Sequence, residues 1–306
     1  MNQKKPSIKP FVKWAGGKGQ ILPYIRSKYP VQLGNDIDKY CEPFVGGGAV
    51  LFDILSSYEL DKILINDINS ELINAYLQIQ NNIFDLLTLL ESFQNQYHPL
   101  SKEDQKLVYL KHRDEFNFLK LNENNDVNLE KAALFIFLNR TCFNGLYRVN
   151  KKGLFNVPVG SYKKPLIYDK SNLLKLNELL QNVQIRCSDY KSCMPFIDSQ
   201  TFVYIDPPYR PLSQTSNFTA YSEVSFTDKE QIELSNFIDC IHKKGAKVLV
   251  SNSDPKNEDI TDFFFDNLYE RYQIERIPAK RIINCNAENR GEINELLINN
   301  YSSDLP

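Results

Sequence analysis

The segment YCEPFVGGGAVLFDILSSYELDKILINDIN, residues 40–69, narrows the fold more than any other part of the 306-residue chain. An apolar run ends at Glu42, and Gly46, Gly47 and Gly48 follow directly before the helix-like stretch that starts at Ala49. A second β-branched run, from Lys62, ends on Asp67. Strand, glycine turn, helix and strand make half of a doubly wound α/β sheet, whose ligands sit at the carboxyl ends of the strands. The pattern resumes with VQIRC (183–187), TFVYI (201–205) and KVLVSN (247–252), and residues 295–301 are expected to form an antiparallel edge strand.

Between these halves the periodicity changes. From 70 to about 92, Leu72, Ile73, Tyr76, Leu77 and Ile83 follow helical spacing, and 101–142 reads as helical with a polar break over 122–128. Residues 144–165 are turn-rich and basic, and a hairpin is expected across Asn150-Lys151-Lys152-Gly153. The expected organisation is a mostly parallel sheet domain, 1–69 and 170–306, interrupted by a helical and basic insertion, 70–169. An insertion of that length is within the usual size of a separate lobe.

Charge singles out the insertion. The chain carries a net charge of −2, yet residues 131–168 contain no Asp or Glu, while Lys131, Arg140, Arg148, Lys151, Lys152, Lys163 and Lys164 are positive. A block this one-sided is a candidate phosphate-binding face. Other classes are disfavoured. The longest apolar run, 132–138, is too short to cross a bilayer, and the basic N-terminus has no apolar segment behind it. Six cysteines without a CxxC pair argue against a disulfide framework or zinc site and for a reducing cytoplasm. Three histidines leave metal or triad chemistry little to build on.

Three motifs carry chemistry. The glycine turn fails the dinucleotide fingerprint GxGxxG, because Leu51 occupies the third glycine position. Asp67 can accept hydrogen bonds from ribose hydroxyls. The charge of Glu42 would oppose a pyrophosphate and suit a cation, which points to an adenosyl group carrying a sulfonium. The second motif, Lys13-Trp14-Ala15-Gly16-Gly17-Lys18, holds the only tryptophan. It is not a P-loop, since Gly19 follows Lys18 where Ser or Thr is required. Its lysines and glycine N–H groups suit an amino-acid carboxylate or a DNA phosphate.

The third motif is the corner TFVYIDPPYR (201–210), where a buried-type strand stops on a carboxylate, two prolines and a ring. Proline lacks an N–H and fixes φ, so the sheet cannot continue through it. An amine conjugated to an aromatic ring is a poor nucleophile because its lone pair is delocalised. Acceptors on both of its N–H groups free that lone pair; Asp206 can supply one and the carbonyl of Pro207 the other. Preorganised dipoles of this kind are the largest usual catalytic contribution. Tyr209 offers a rigid stacking face. Neither a metal nor a covalent nucleophile is needed. Carbon methylation of cytosine requires a cysteine, usually after proline, and none of the fifteen prolines precedes Cys.

The stretches FVKWAGGK, EPFVGGG, INDINSELI, FNGLYRVNKKGLFNVPVGSYKKP, VYIDPPYRPLS and VLVSN occur in the order and spacing of Dam-type N6-adenine DNA methyltransferases, which the chain resembles over nearly its whole length. The resemblance implies a Rossmann-like methyltransferase fold with a helical target-recognition insertion bearing a basic β-hairpin. It implies S-adenosyl-L-methionine as methyl donor, no metal, and transfer to adenine N6 in double-stranded DNA at GATC. Catalytic positions are then Asp206, Pro207, Pro208 and Tyr209. Cofactor positions are Trp14, Lys18, Glu42, Phe44, Gly46, Gly48, Asp67, Asp189 and Asp206. DNA-reading positions are Lys13, Phe143, Asn144, Leu146, Arg148, Pro158 and Tyr162, with Arg148 on the guanine edge. Phe143 stands where the family often has tyrosine, so it can stack or wedge but has no hydroxyl. The adenine is expected to be flipped out of the stack. A cytoplasmic monomer is expected, with pairing to a restriction endonuclease possible. Rival readings are methylation of cytosine N4, RNA or a protein glutamine, a DNA-binding protein with a dead catalytic fold, and a nicotinamide oxidoreductase. Glutamine enzymes favour Asn in place of Asp206, a dead fold would damage Asp206 or the glycine turn, and an oxidoreductase would keep the third glycine.

Overall fold

The computed structural model describes residues 8–122, 127–210, 226–280 and 292–302. In chain order the elements are α1 (Leu22–Ser27), β1 (Lys39–Glu42), α2 (Ala49–Ser57), β2 (Lys62–Asp67), α3 (Ser70–Asn81), α4 (Ile83–Tyr97), α5 (Lys102–Asn122) and α6 (Leu129–Thr141). There follow α7 (Lys170–Leu180), β3 (Val183–Cys187), β4 (Thr201–Ile205), α8 (Asp228–Lys243), β5 (Lys247–Ser253), α9 (Phe264–Leu268), β6 (Gln273–Lys280) and β7 (Glu292–Asn299).

The strands form one sheet in the order β3-β2-β1-β4-β5-β7-β6. The first five are parallel, and β7 runs antiparallel to both β5 and β6. The fold is the expected doubly wound, mostly parallel one. Its strand order reverses between β1 and β4, the place where such sheets open a crevice. Every residue of β4 is buried, because helices cover both faces. Alternate residues serve the two sides: Phe202 and Tyr204 join one apolar cluster, Val203 and Ile205 the other.

Residues 295–301 were expected at an edge, but β7 lies inside, between β5 and β6. The edge is β6, which the sequence pattern hid. Its Pro278 demotes a strand reading, yet an edge strand tolerates proline because one side needs no ladder donor. The single helix expected from 70 to about 92 is two. Asn82, with φ −133° and ψ 37°, ends α3 and precedes α4. The expected hairpin turns at Asn150, where Gly153 N–H donates to the Asn150 carbonyl at 2.8 Å. Its arms pair through the isolated bridges Val149–Phe155 and Cys142–Val159. Helix α6 holds the 132–138 apolar run and is buried all round. No described helix is long and apolar enough to cross a membrane.

Candidate active site

The corner sits at the carboxyl end of central strand β4. Asp206 Oδ1 accepts from Ser251 Oγ of β5 at 3.2 Å and lies 2.9 Å from the Lys18 ammonium. Ser251 is in turn 2.8 Å from the Tyr204 hydroxyl. No hydrogen bond among the described residues reaches Oδ2. One oxygen is therefore an anchor and the other an open acceptor. Burial pushes the Asp206 carboxyl up to about 6, against the pull of Lys18. Lys18 itself is buried and donates to the Tyr209 hydroxyl at 2.7 Å, with its nitrogen 4.8 Å from the centre of that ring. Charges of Asp206, Tyr209 and Glu295 raise the Lys18 pKa despite its burial, so it is an ammonium. Tyr209 as a residue remains 37% exposed.

The prolines are held from behind. Gln231 of α8, fully buried, donates to the Pro208 carbonyl at 3.2 Å and accepts from Asn252 of β5 at 3.3 Å. Arg210 pairs with Asp228 and Asp262 and lies over the Phe264 ring, which pins the outgoing chain. Gln231, Ser251, Arg210 and Glu295 were not picked out from sequence as site residues. For Gln231 a signal existed, since it occupies the apolar stripe of α8 with Leu234, Ser235 and Ile238. Glu295 carried none.

The glycine turn follows β1. Gly46 and Gly48 have φ of 48° and 75°, a region that disfavours side chains. Sequence reasoning gave these glycines to a ligand's approach, and protein fills the space that a side chain on either would take. A Cβ on Gly46 would lie 2.9 Å from Trp14 Cδ1, and one on Gly48 would collide with the Tyr76 hydroxyl and with Phe52 Cε2 at 2.8 Å. Asp67 shapes the turn, its two oxygens accepting at 3.0 Å from Gly46 N–H and from Asn69 N–H. Asn66 ties the turn to the end of β3 by donating to the Pro43 and Ser188 carbonyls. Glu42 is buried and accepts from the Tyr40 hydroxyl at 2.7 Å. Burial, with the charges of Asp206 and Asp67, pushes its carboxyl well above the ordinary range. Burial thus works against the negative charge expected here from sequence, and a neighbouring cation would favour it.

Phe44 packs against Tyr190 and Phe226, with centroids 5.2 and 6.0 Å apart. Asp189 is exposed and caps the turn Tyr190–Cys193 through Lys191 N–H. Glu42, Phe44, Gly46, Gly48, Asp67, Asp189 and Asp206 therefore line one edge, the carboxyl ends of β1 to β4. Trp14 leans on that edge from the N-terminal segment. Lys18 reaches further along it, into the Asp206 corner.

The DNA-reading candidates are Lys13 of the N-terminal segment and residues across 143–162. Lys13 Nζ donates to the Tyr162 hydroxyl at 3.0 Å, and the Lys13 backbone exchanges two 2.8 Å bonds with the Asn139 side chain. Phe143 N–H donates to the Pro158 carbonyl at 2.8 Å. Asn144 turns the chain with φ 55°. Phe143, Asn144, Arg148 and Pro158 are exposed, whereas Leu146 is half-buried against the core. Arg148 donates to Asn156 Oδ1 at 2.8 Å. Of the basic block, Lys131 is buried, and Arg140 donates to the Phe11 and Pro10 carbonyls. Solvent meets Arg148, Lys151, Lys152, Lys163 and Lys164.

The sequence profile of the D12 class N6 adenine-specific DNA methyltransferases matches residues 14–283. The chain is 48% identical over 297 residues to the type II methyltransferase M.MjaIII of Methanocaldococcus jannaschii, covering 96% of this chain and 99% of that protein. It is 36% identical to the type II methyltransferase M1.LlaDCHI of Lactococcus lactis, covering 99% of each. To the DNA adenine methylase of Escherichia coli K12 it is 34% identical, covering 94% of this chain and 93% of that one. With a sheet, a corner and a glycine turn that agree with such a match, the chain belongs to the D12 class of N6 adenine-specific DNA methyltransferases.

Proposed function

We propose that this protein transfers a methyl group from S-adenosyl-L-methionine to N6 of an adenine flipped out of duplex DNA, within GATC. The observation that carries the reading is the division of labour at Asp206: Oδ1 anchored by Lys18 and Ser251, Oδ2 open.

The donor's site fits the residues present. Burial works against the Glu42 charge, and a sulfonium beside it would favour that charge. Each Asp67 oxygen has one hydrogen bond and a lone pair to spare for a hydroxyl. Phe44, Asp189 and Trp14 border the same edge. When bound, the donor supplies an electrophilic methyl on sulfur. Asp206 Oδ2 and the Pro207 carbonyl accept the two amine N–H groups and release the nitrogen lone pair, and Asp206 stands where it can take the proton shed afterwards. Tyr209 stacks on the extruded base, whose unpairing costs on the order of a few kcal/mol. Holding amine and donor as neighbours removes the entropy of their encounter.

Specificity for GATC is supported by the exposure of Asn144, Arg148 and Pro158 and by the Lys13–Tyr162 pair. The name type II methyltransferase, carried by two relatives, supports a role beside a restriction endonuclease. Methyl-transfer assays on duplexes carrying GATC and each single-base variant test the reading. Equal transfer to all of them, or transfer only to cytosine, would sink it. Asp206→Ala should abolish transfer while leaving DNA binding largely intact. Arg148→Ala should relax specificity at one base, with a penalty of about 1–3 kcal/mol at that position.

A further inference from the structure

Strand β7 sends a carboxylate into the corner. The Glu295 side chain is 15% exposed, and its Oε2 lies 3.5 Å from Lys18 Nζ. That oxygen is buried, and among the described residues it has no hydrogen-bond partner. An ammonium has three N–H donors. Lys18 spends two of them, on Asp206 Oδ1 at 2.9 Å and on the Tyr209 hydroxyl at 2.7 Å. A buried acceptor left short of its donor costs stability, so its presence there asks for another reason.

We propose that Glu295 is a positioning residue for methyl transfer: by sharing the Lys18 ammonium it keeps Asp206 anchored without neutralising it, so the target amine meets a strong acceptor. This rests on the adenine N6 reading above. One cation between two carboxylates leaves the group with negative charge to spare, and Asp206 is the carboxylate with an oxygen open to the amine. Were Glu295 neutral, Lys18 would belong to Asp206 alone and form a closed ion pair, a poorer acceptor. Asp206 is faced by Lys18 from the N-terminal segment, Glu295 from β7, Ser251 from β5, Tyr204 from β4, Tyr209 from the corner and Glu42 from β1. Within that circle Lys18 lowers the Asp206 pKa and Glu295 raises it.

The test is single-turnover transfer to a GATC duplex across pH, alongside S-adenosyl-L-methionine binding by equilibrium dialysis, on the full chain. Glu295→Gln should lower the plateau rate about fivefold, the scale of one hydrogen bond. It should also move the acidic limb to lower pH, with donor affinity and melting temperature near wild type. Glu295→Asp, which retracts the charge by one methylene, should fall between the two. Lys18→Met should move the limb the opposite way, to higher pH. A merely structural Glu295 would move melting temperature and leave the limb in place. A wild-type limb in both Glu295 variants, or a Glu295→Gln shift in the same direction as Lys18→Met, overturns the proposal. Failure of the underlying reading looks different: the wild-type protein itself would leave adenine unmethylated.

Discussion

At Asp206 the fold works against the charge that the chemistry needs. Burial raises this carboxyl to about 6, and ionisation keeps Oδ2 free of a proton so that it can accept from the amine while Oδ1 stays anchored. Activity should therefore be lost as pH falls through about 6, which kcat/KM against pH will show as an acidic limb with that midpoint. Stability follows the opposite sign. A carboxyl whose folded pKa is raised favours the fold most below its unfolded value and loses that contribution as pH rises through about 6. A midpoint near the ordinary carboxylate value of roughly 4 would place the titrating group elsewhere. Asp206 and Tyr209 were legible in the sequence because the prolines mark a rigid corner. Their dependence on Lys18 was not, since a pairing between residues so far apart along the chain leaves no local pattern.

The glycine turn shows how an element can be read correctly for an incomplete reason. Strand, turn and helix stand where the residues indicated, but Gly46 and Gly48 are demanded by Trp14, Tyr76 and Phe52 as much as by backbone conformation. Gly48→Ala combines a left-handed φ with an overpacked core, and should cost about 2–4 kcal/mol in urea unfolding. Donor binding should weaken with it, because Asp67 holds the same turn through Gly46 N–H. A variant of wild-type stability would mean that Tyr76 and Phe52 can step aside. The strands β7 and β6 mark the limit of such reading. Which strand takes an edge is decided by pairing across the sheet, and Pro278 in β6 masks the period that would have announced a strand.

Across the whole molecule, one apolar cluster runs unbroken from Tyr40 and Phe202 of the sheet to Leu134–Phe137 of α6. Helix α6 thus shares its core with the sheet face, a continuity that periodicity and charge could not foretell. Urea unfolding followed by far-UV circular dichroism and by hydrogen exchange in α6 should give coincident midpoints. A separate, lower midpoint for α6 would show that residues 70–169 unfold as a unit of their own. The exposed lysines act at this scale too. Replacing Lys151 or Lys163 by Ala should reduce the slope of log affinity against log salt by about 1 each, without changing which site is methylated.

Trp14 lies where these parts meet, its indole against the glycine turn and stacked 5.9 Å from Tyr147 beyond α6. Being the only tryptophan, it makes the protein its own label. With excitation beyond the absorption of the 17 tyrosines, any change in emission on adding donor or duplex comes from one known fluorophore, so the order in which the two ligands engage can be followed by stopped-flow mixing without attaching a dye.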